Sequence, residues 1–327
     1  MSVPIFKMEQ QMTEYIYLPE GNRLKSEENV CLTRDLRRLH RAMESGTVIE
    51  GVVTKCDNIT MDLSVDVGDF KGIIPREEAI LCPDGEEPKD IAIITRVGKA
   101  AAFKITAIEY GADGEPLLIL SRKAAQEACR TEYIDKLKPG DIIPATVTHM
   151  ESFGAFLDIG CGVVALMTVD SISVSRISHP KERFHCGENV LCVVKTIDEE
   201  TGRIYMSSRE LLGTWEENAA EFSRGQTVTG IVRSIEDYGI FVELRPNLAG
   251  LAELKDGVEV GDVCAVYIKS IIPERMKIKL VLIDSAIGNY EQKLEYRIDP
   301  SQTHHMDSWR YSPAGCSKVI ESIFDKI

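Results

Sequence analysis

The residues of this chain best suited to chemistry are aromatic rings set around glycines. Phe153, Gly154, Ala155 and Phe156 form one set, and Tyr238, Gly239, Ile240 and Phe241 form a second at the same offset from an upstream glycine, Gly140 and Gly225 respectively. An aromatic face stacks on any nucleobase, each stacked base being worth roughly 1–3 kcal/mol. Two aromatics three apart point to opposite faces of a regular strand, so sharing a face requires a bulge or twist, which a glycine between them permits. The rings could instead fill a barrel interior; repetition of aromatic-Gly-x-Phe at a turn favours an exposed platform. Arg203 and Lys277 take equivalent places when Lys195 is set against Lys269, giving each copy one cation at the start of a later strand, where it can meet a phosphate. Lys277 and Lys279 alternate and share a strand face, as does Arg275 if the strand begins early. Ordinary solvent exposure accounts for such cations equally well.

Other chemistries lack their residues. The chain contains no phosphate-cradling GxxxxGK[ST] and shows no carboxylate cluster or metal-ligand set of the kind nucleases use. Its nine cysteines are odd in number, spread over the whole length and never spaced CxxC, as expected of reduced, mostly buried thiols. Cys186 and Cys192, with His179 and His185 nearby, come nearest to a metal set but lack tight ligand pairs. We therefore expect no catalytic residue, no metal and no cofactor. The formal net charge of −14 opposes general electrostatic attraction to duplex DNA, so any nucleic-acid site must be local. No run approaches the roughly 18 apolar residues of a membrane span, and MSVPIFKMEQ lacks a basic start followed by an apolar stretch. A cytoplasmic protein with no membrane partner is the expectation.

The elements that must hold these rings follow from a repeat. GTVIEGVVTKCDNITMDLSV from Gly46, GDIIPATVTHMESFGAFLDI from Gly140 and GQTVTGIVRSIEDYGIFVEL from Gly225 superpose without gaps, each reading as strand, polar turn, strand. Downstream, GENVLCVVKTIDEETGRIYMSSR, GDVCAVYIKSIIPERMKIKLVL and, more loosely, GKAAAFKITAIEYGADGEPLLILSR give a further strand pair. With the stretch between, each unit has about five strands, the number that closes a small OB-type barrel. The fold class expected is mainly β: three tandem five-stranded OB-type barrels joined by short helices. The expected divisions are an N-terminal helical segment at 1–45, barrels at 46–122, 139–210 and 225–284, helical linkers at 123–138 and 211–224, and a poorly ordered tail at 285–327 ending in a short helix.

Thr214 and Glu217 form a capping box, starting a helix that carries Trp215 as an anchor between barrels. Leu32, Leu36, Leu39 and Met43 fall on one face of a single helix ending before Gly46. Its other face carries Arg34, Arg37, Arg38 and Arg41, which either meet RNA phosphates or a ribosomal surface, or form a solvated face. In the first copy the gapless superposition puts Ile59 and Asp62 at the platform positions, so stacking is lost there and docking or protein contact becomes the expected role.

PGDIIPATVTHMESFGAFLDIG, ALMTVDSIS and HPKERFHCGENVLCVVKTIDEETGRIYMSSRE, in this order within residues 139–210, resemble the S-one RNA-binding domain family of the bacterial small ribosomal subunit. Residues 225–283 resemble a second member with a shortened middle, and 46–122, through GIIPREE and LILSRKAA, a divergent one; the three cover about two-thirds of the chain. The resemblance implies an RNA surface of Phe153, Phe156, Asp198 and Arg203 in the second unit, with Thr168 where the family carries a histidine. In the third it implies Tyr238, Phe241 and Lys277, with Ile272 at the Asp position and Glu253 near that of the histidine. The whole resembles short S-one-like proteins of some bacteria. The implied function is binding of single-stranded RNA, messenger RNA at or near the small ribosomal subunit. The alternatives are a protein-interaction adaptor and an accessory factor in RNA processing or decay.

Overall fold

The computed structural model describes residues 17–82, 86–111, 113–286, 290, 292 and 294–324. Runs of alternating burial, such as Leu63–Val67 with every second residue inside, mark strands with one face toward a core. The first barrel consists of β1 (Ile49–Cys56), β2 (Leu63–Val67), β3 (Phe70–Ile74), β4 (Ala100–Tyr110) and β5 (Pro116–Ser121). The second has β6 (Ile142–Glu151), β7 (Gly154–Asp158), β8 (Val164–Thr168), β9 (Asn189–Ile197) and β10 (Ile204–Ser207). The third has β11 (Thr227–Glu236), β12 (Gly239–Arg245), β13 (Leu248–Ala252), β14 (Val263–Ile272) and β15 (Lys277–Ala286). Each closes in the same way: its first three strands form an antiparallel meander, the fifth pairs parallel with the third, and the fourth seals the gap between fifth and first. The mainly β class and the three five-stranded barrels are as the repeat implies.

Each barrel encloses its own apolar core, for instance Val147, Leu157, Met167 and Val194 in the second and Val232, Val242, Val266 and Leu280 in the third. A bulge recurs in each first strand, at Val53/Lys55, Val147/His149 and Val232/Ser234, and another where each fourth strand pairs with the fifth. They do not lie between the paired aromatics, as the sequence reading supposed. Phe153 and Tyr238 precede β7 and β12 and so escape strand alternation. The glycine after each has another purpose: a Cβ on Gly154 would lie 2.5 Å from the Met167 carbonyl oxygen, and one on Gly239 2.5 Å from that of Ala252. Glycine is what lets the neighbouring strand approach.

Two further expectations are corrected. The leucines from Leu32 to Met43 do not share one helix; Glu27–Leu32 and Leu36–Ser45 are separate, because Asp35 turns back to accept the Arg37 amide at 2.9 Å and caps the second. The poorly ordered tail is, over its described residues, a packed strap. Strands β16 (Ser308–Arg310) and β17 (Glu321–Ile323) pair, Trp309 and Tyr311 are buried against Trp215 on the third barrel, and Phe324 packs with Ile142, Leu191 and Leu211 of the second. No helix ends it within those residues. Apolar residues with no period gave no sign of this in the sequence.

The barrels are tied by buried polar contacts. Between the first two, the helix Arg122–Glu132 starts on a Ser121 cap, and Arg122 grips Glu20 at 2.6 Å while Arg96 reaches it at 2.8 Å. These guanidiniums hold the Glu20 carboxyl below its ordinary range despite burial. Nearby, burial drives Glu50 up to about 8 and Asp158 up to about 7, with the Glu20 charge adding to both. Between the second and third barrels, Glu243 is fully buried and accepts from Arg183 at 2.5 Å and Arg233 at 2.8 Å.

Candidate nucleic-acid interface

On the second barrel the strand register builds an outward row across four strands. His149 of β6 stands opposite Phe156 of β7, Phe156 opposite Leu166 of β8, and Leu166 beside Tyr205 of β10. The bulge at Thr148 brings His149 into this row, since without it strand alternation would turn His149 the other way. The His149 ring lies 6.0 Å from that of Phe156 with an interplanar angle of 28°, and it bonds Glu151 at 2.7 Å. Phe153 meets Phe156 edge-on, centroids 5.9 Å apart at 89°. Phe153 is 54% exposed and Phe156 half-buried, both outside the core, so this barrel offers three adjoining rings to solvent.

The third barrel repeats the arrangement. Tyr238 and Phe241 meet edge-on at 6.1 Å and 90°, Tyr238 being 70% exposed. Its row runs Ser234, Phe241, Leu251, Lys279, so serine replaces the histidine and lysine replaces Tyr205. In the first barrel the row is Lys55, Ser64, Ile73, Ile119. This corrects the gapless superposition: the turn from Cys56 to Leu63 is two residues longer than that from Met150 to Ala155, which puts Ser64 rather than Asp62 at the second platform position. Asp62 instead accepts the Arg76 amide at 3.0 Å, and Ile59 stands 86% exposed on the turn.

The remaining expected residues differ in setting. Arg203 is exposed, two residues before Tyr205 and on the same strand face, roughly 7 Å along. Lys277 precedes Lys279 on β15 in the same way, also exposed. Asp198 holds the turn between β9 and β10. Its carboxylate accepts the Glu200 and Thr201 amides at 3.0 Å each, and these bonds keep it below the ordinary carboxylate range. Its geometry is that of a turn former which presents Arg203. Thr168 bonds Ser171 at 3.0 Å. His149, Leu166 and Tyr205 were missed from the sequence, because register across a bulge decides which residues share the row.

Among the described residues no group of three or more His, Cys, Asp or Glu is placed to hold a metal. His179 caps a short turn by accepting the Lys181 amide at 3.1 Å, and Cys192 is buried while Cys186 is exposed. No helix among the described residues is long and apolar enough to cross a membrane.

Comparison with known proteins agrees with this geometry. Residues 136–209 match the family model described as the S1 RNA binding domain. The chain is 32% identical to a small ribosomal subunit protein bS1 homolog of Bacillus cereus over 73% of this chain and 60% of that one. It is 30% identical to the small ribosomal subunit protein bS1 of Staphylococcus aureus over 67% and 54%. The chain thus spans somewhat more than half the length of these curated relatives. A multidomain protein with nucleic acid binding domains from Streptococcus pneumoniae aligns over 75% of this chain and 76% of its own, at 14% identity and a TM-score of 0.23. The second barrel, with its outward rings on β7 and its cation on the β9–β10 turn, belongs to the S1 (S-one) RNA binding domain family.

Proposed function

We propose that the chain binds single-stranded RNA on the outward faces of its second and third barrels, and that it does so at or near the small ribosomal subunit in the cytoplasm. The observation that carries this is the pair of matching edge-on ring sets, Phe153 with Phe156 and Tyr238 with Phe241, left outside two closed cores. Rings in solvent forgo the burial that would make them structural assets, and stacking on bases restores it. Phe153, Phe156 and His149 hold bases on the second barrel, with Arg203 near the backbone; Asp198 sets the turn that carries Arg203. Tyr238 and Phe241 hold bases on the third, with Lys277 near the phosphates. Neither barrel needs overall positive charge, which suits a chain of net charge −14.

The relatives named for the small ribosomal subunit support messenger RNA as the physiological ligand. Titrating the chain against a labelled unstructured oligoribonucleotide and a duplex of equal length tests the reading. Binding to the first and weak binding to the second supports it; preference for the duplex refutes it. Cosedimentation with purified small subunits, with and without messenger RNA, tests the ribosomal assignment.

A further inference from the structure

Resting on that reading, we infer that the third barrel's site is a composite groove whose phosphate contacts come from three separated parts of the chain: Arg176, the pair Arg275 and Lys277, and Lys318. A groove of about 450 Å³ runs past Tyr238 and Phe241 and is lined by all four cations. Arg176 arrives from the second barrel, Arg275 and Lys277 from the β14–β15 turn, and Lys318 from the strap. All four are exposed, and among the described residues none is engaged in an ion pair. Arg233 also lines the groove but is committed to Glu243 and Glu182, and Glu236 is the only carboxylate among the described lining residues. Four uncommitted cations beside two exposed rings, in a protein this acidic, match a strand whose bases stack while its phosphates run along the wall.

Buried hydrogen bonds hold the three parts in place. Asn247, 1% exposed, accepts the Val174 amide at 2.9 Å and donates to the Arg209 carbonyl at 2.8 Å. Its own carbonyl accepts the Tyr311 hydroxyl. Ser175 donates its amide to the Pro246 carbonyl at 3.2 Å, fixing the residue before Arg176. The Tyr311 carbonyl accepts the Trp215 amide at 3.0 Å, and its own amide donates to the Ile320 carbonyl at 2.9 Å, holding the stretch that carries Lys318 beside the groove. Met276, between Arg275 and Lys277, takes a left-handed φ of 48°, where the second barrel has Gly202 at the same place. A non-glycine residue is strained there, and Met276 both lines the groove and packs on the core beneath. The strap therefore acts as a wall of the site as well as a brace.

The test titrates the full chain with a fluorescein-labelled oligouridylate over a range of salt. Each phosphate contact to a single strand contributes about −0.7 to the slope of log K against log salt. R176Q/K318Q removes two contacts, so the slope should become shallower by about 1.4 and affinity at low salt should fall at least tenfold. K89Q/K99Q, at exposed positions of the first barrel, makes the same change in net charge and should leave both unchanged. An unaltered slope in R176Q/K318Q, with binding still sensitive to Phe156→Ala, overturns the composite groove and leaves the proposed function standing. Equal loss in K89Q/K99Q also overturns it, since net charge would then explain the effect. Failure of the wild-type chain to bind the oligouridylate overturns both.

Discussion

Replacing Phe156 and Phe241 together with alanine separates the RNA surface from the fold. Each ring is half-buried, outside the cores formed by Val147, Leu157 and Met167 and by Val242, Val266 and Leu280. Each supports one edge-on partner at about 6 Å, an arrangement worth roughly 0.5–1.5 kcal/mol beyond burial. Stability should thus fall by about 1–2 kcal/mol in each barrel, well short of the roughly 3–5 kcal/mol for a phenylalanine removed from a core. On the proposed function each ring also stacks a base, so two lost stacks at no less than about 1 kcal/mol should weaken binding by at least 2 kcal/mol, about thirtyfold. Fluorescence anisotropy with an unstructured oligoribonucleotide reads the affinity, and circular dichroism melting reads the fold. A well-folded double variant with less than threefold loss refutes the assigned faces. The matching control, Ser64→Ala at the same register in the first barrel, should bind as the wild type does.

Other consequences follow from buried groups. Burial places the folded-state values of Glu50 and Asp158 above their unfolded ones, so the folded chain retains protons that the unfolded chain releases; their contribution is fullest below about pH 4 and is lost as pH rises toward 8. Glu50→Gln should therefore raise the melting temperature more at pH 8 than at pH 5, and an equal effect at both would remove the buried-proton explanation. Glu243→Ala strands the buried Arg183 and leaves Arg233 with Glu182 alone, and should cost about 3–5 kcal/mol in denaturant titration, seen as loss of cooperative unfolding between the second and third barrels. Gly154→Ala sets a Cβ 2.5 Å from the Met167 carbonyl oxygen and should destabilise the second barrel by roughly 1–3 kcal/mol, measured by thermal melting.

The barrels were legible because a strand's two-residue period and a repeated turn are local properties. The opening glycines, the alternation in each first strand and the aromatic-Gly-x-Phe turn all lie within about twenty residues. What failed was whatever depended on counting across a turn or on contacts distant in sequence. Two extra residues between Cys56 and Leu63 moved the platform position from Asp62 to Ser64. One bulge at Thr148 turned His149 into line with Phe156, and parallel pairing brought Tyr205 beside Leu166. Asp198, named from resemblance as part of the surface, also bonds the Glu200 and Thr201 amides, a local role that resemblance alone does not reveal. The strap from residue 294 to 324 has no period to read, since Trp309, Tyr311 and Phe324 are fixed by what they pack against.

The central claim is that nucleobases lie on these particular rings. Irradiating the chain bound to an oligoribonucleotide containing 4-thiouridine, then mapping the linked peptides by mass spectrometry, addresses it directly. The account predicts adducts in the peptides carrying His149, Phe153 and Phe156 and in those carrying Tyr238 and Phe241, with none at Ser64. Adducts confined to the arginines of the N-terminal helix or to the first barrel would contradict it.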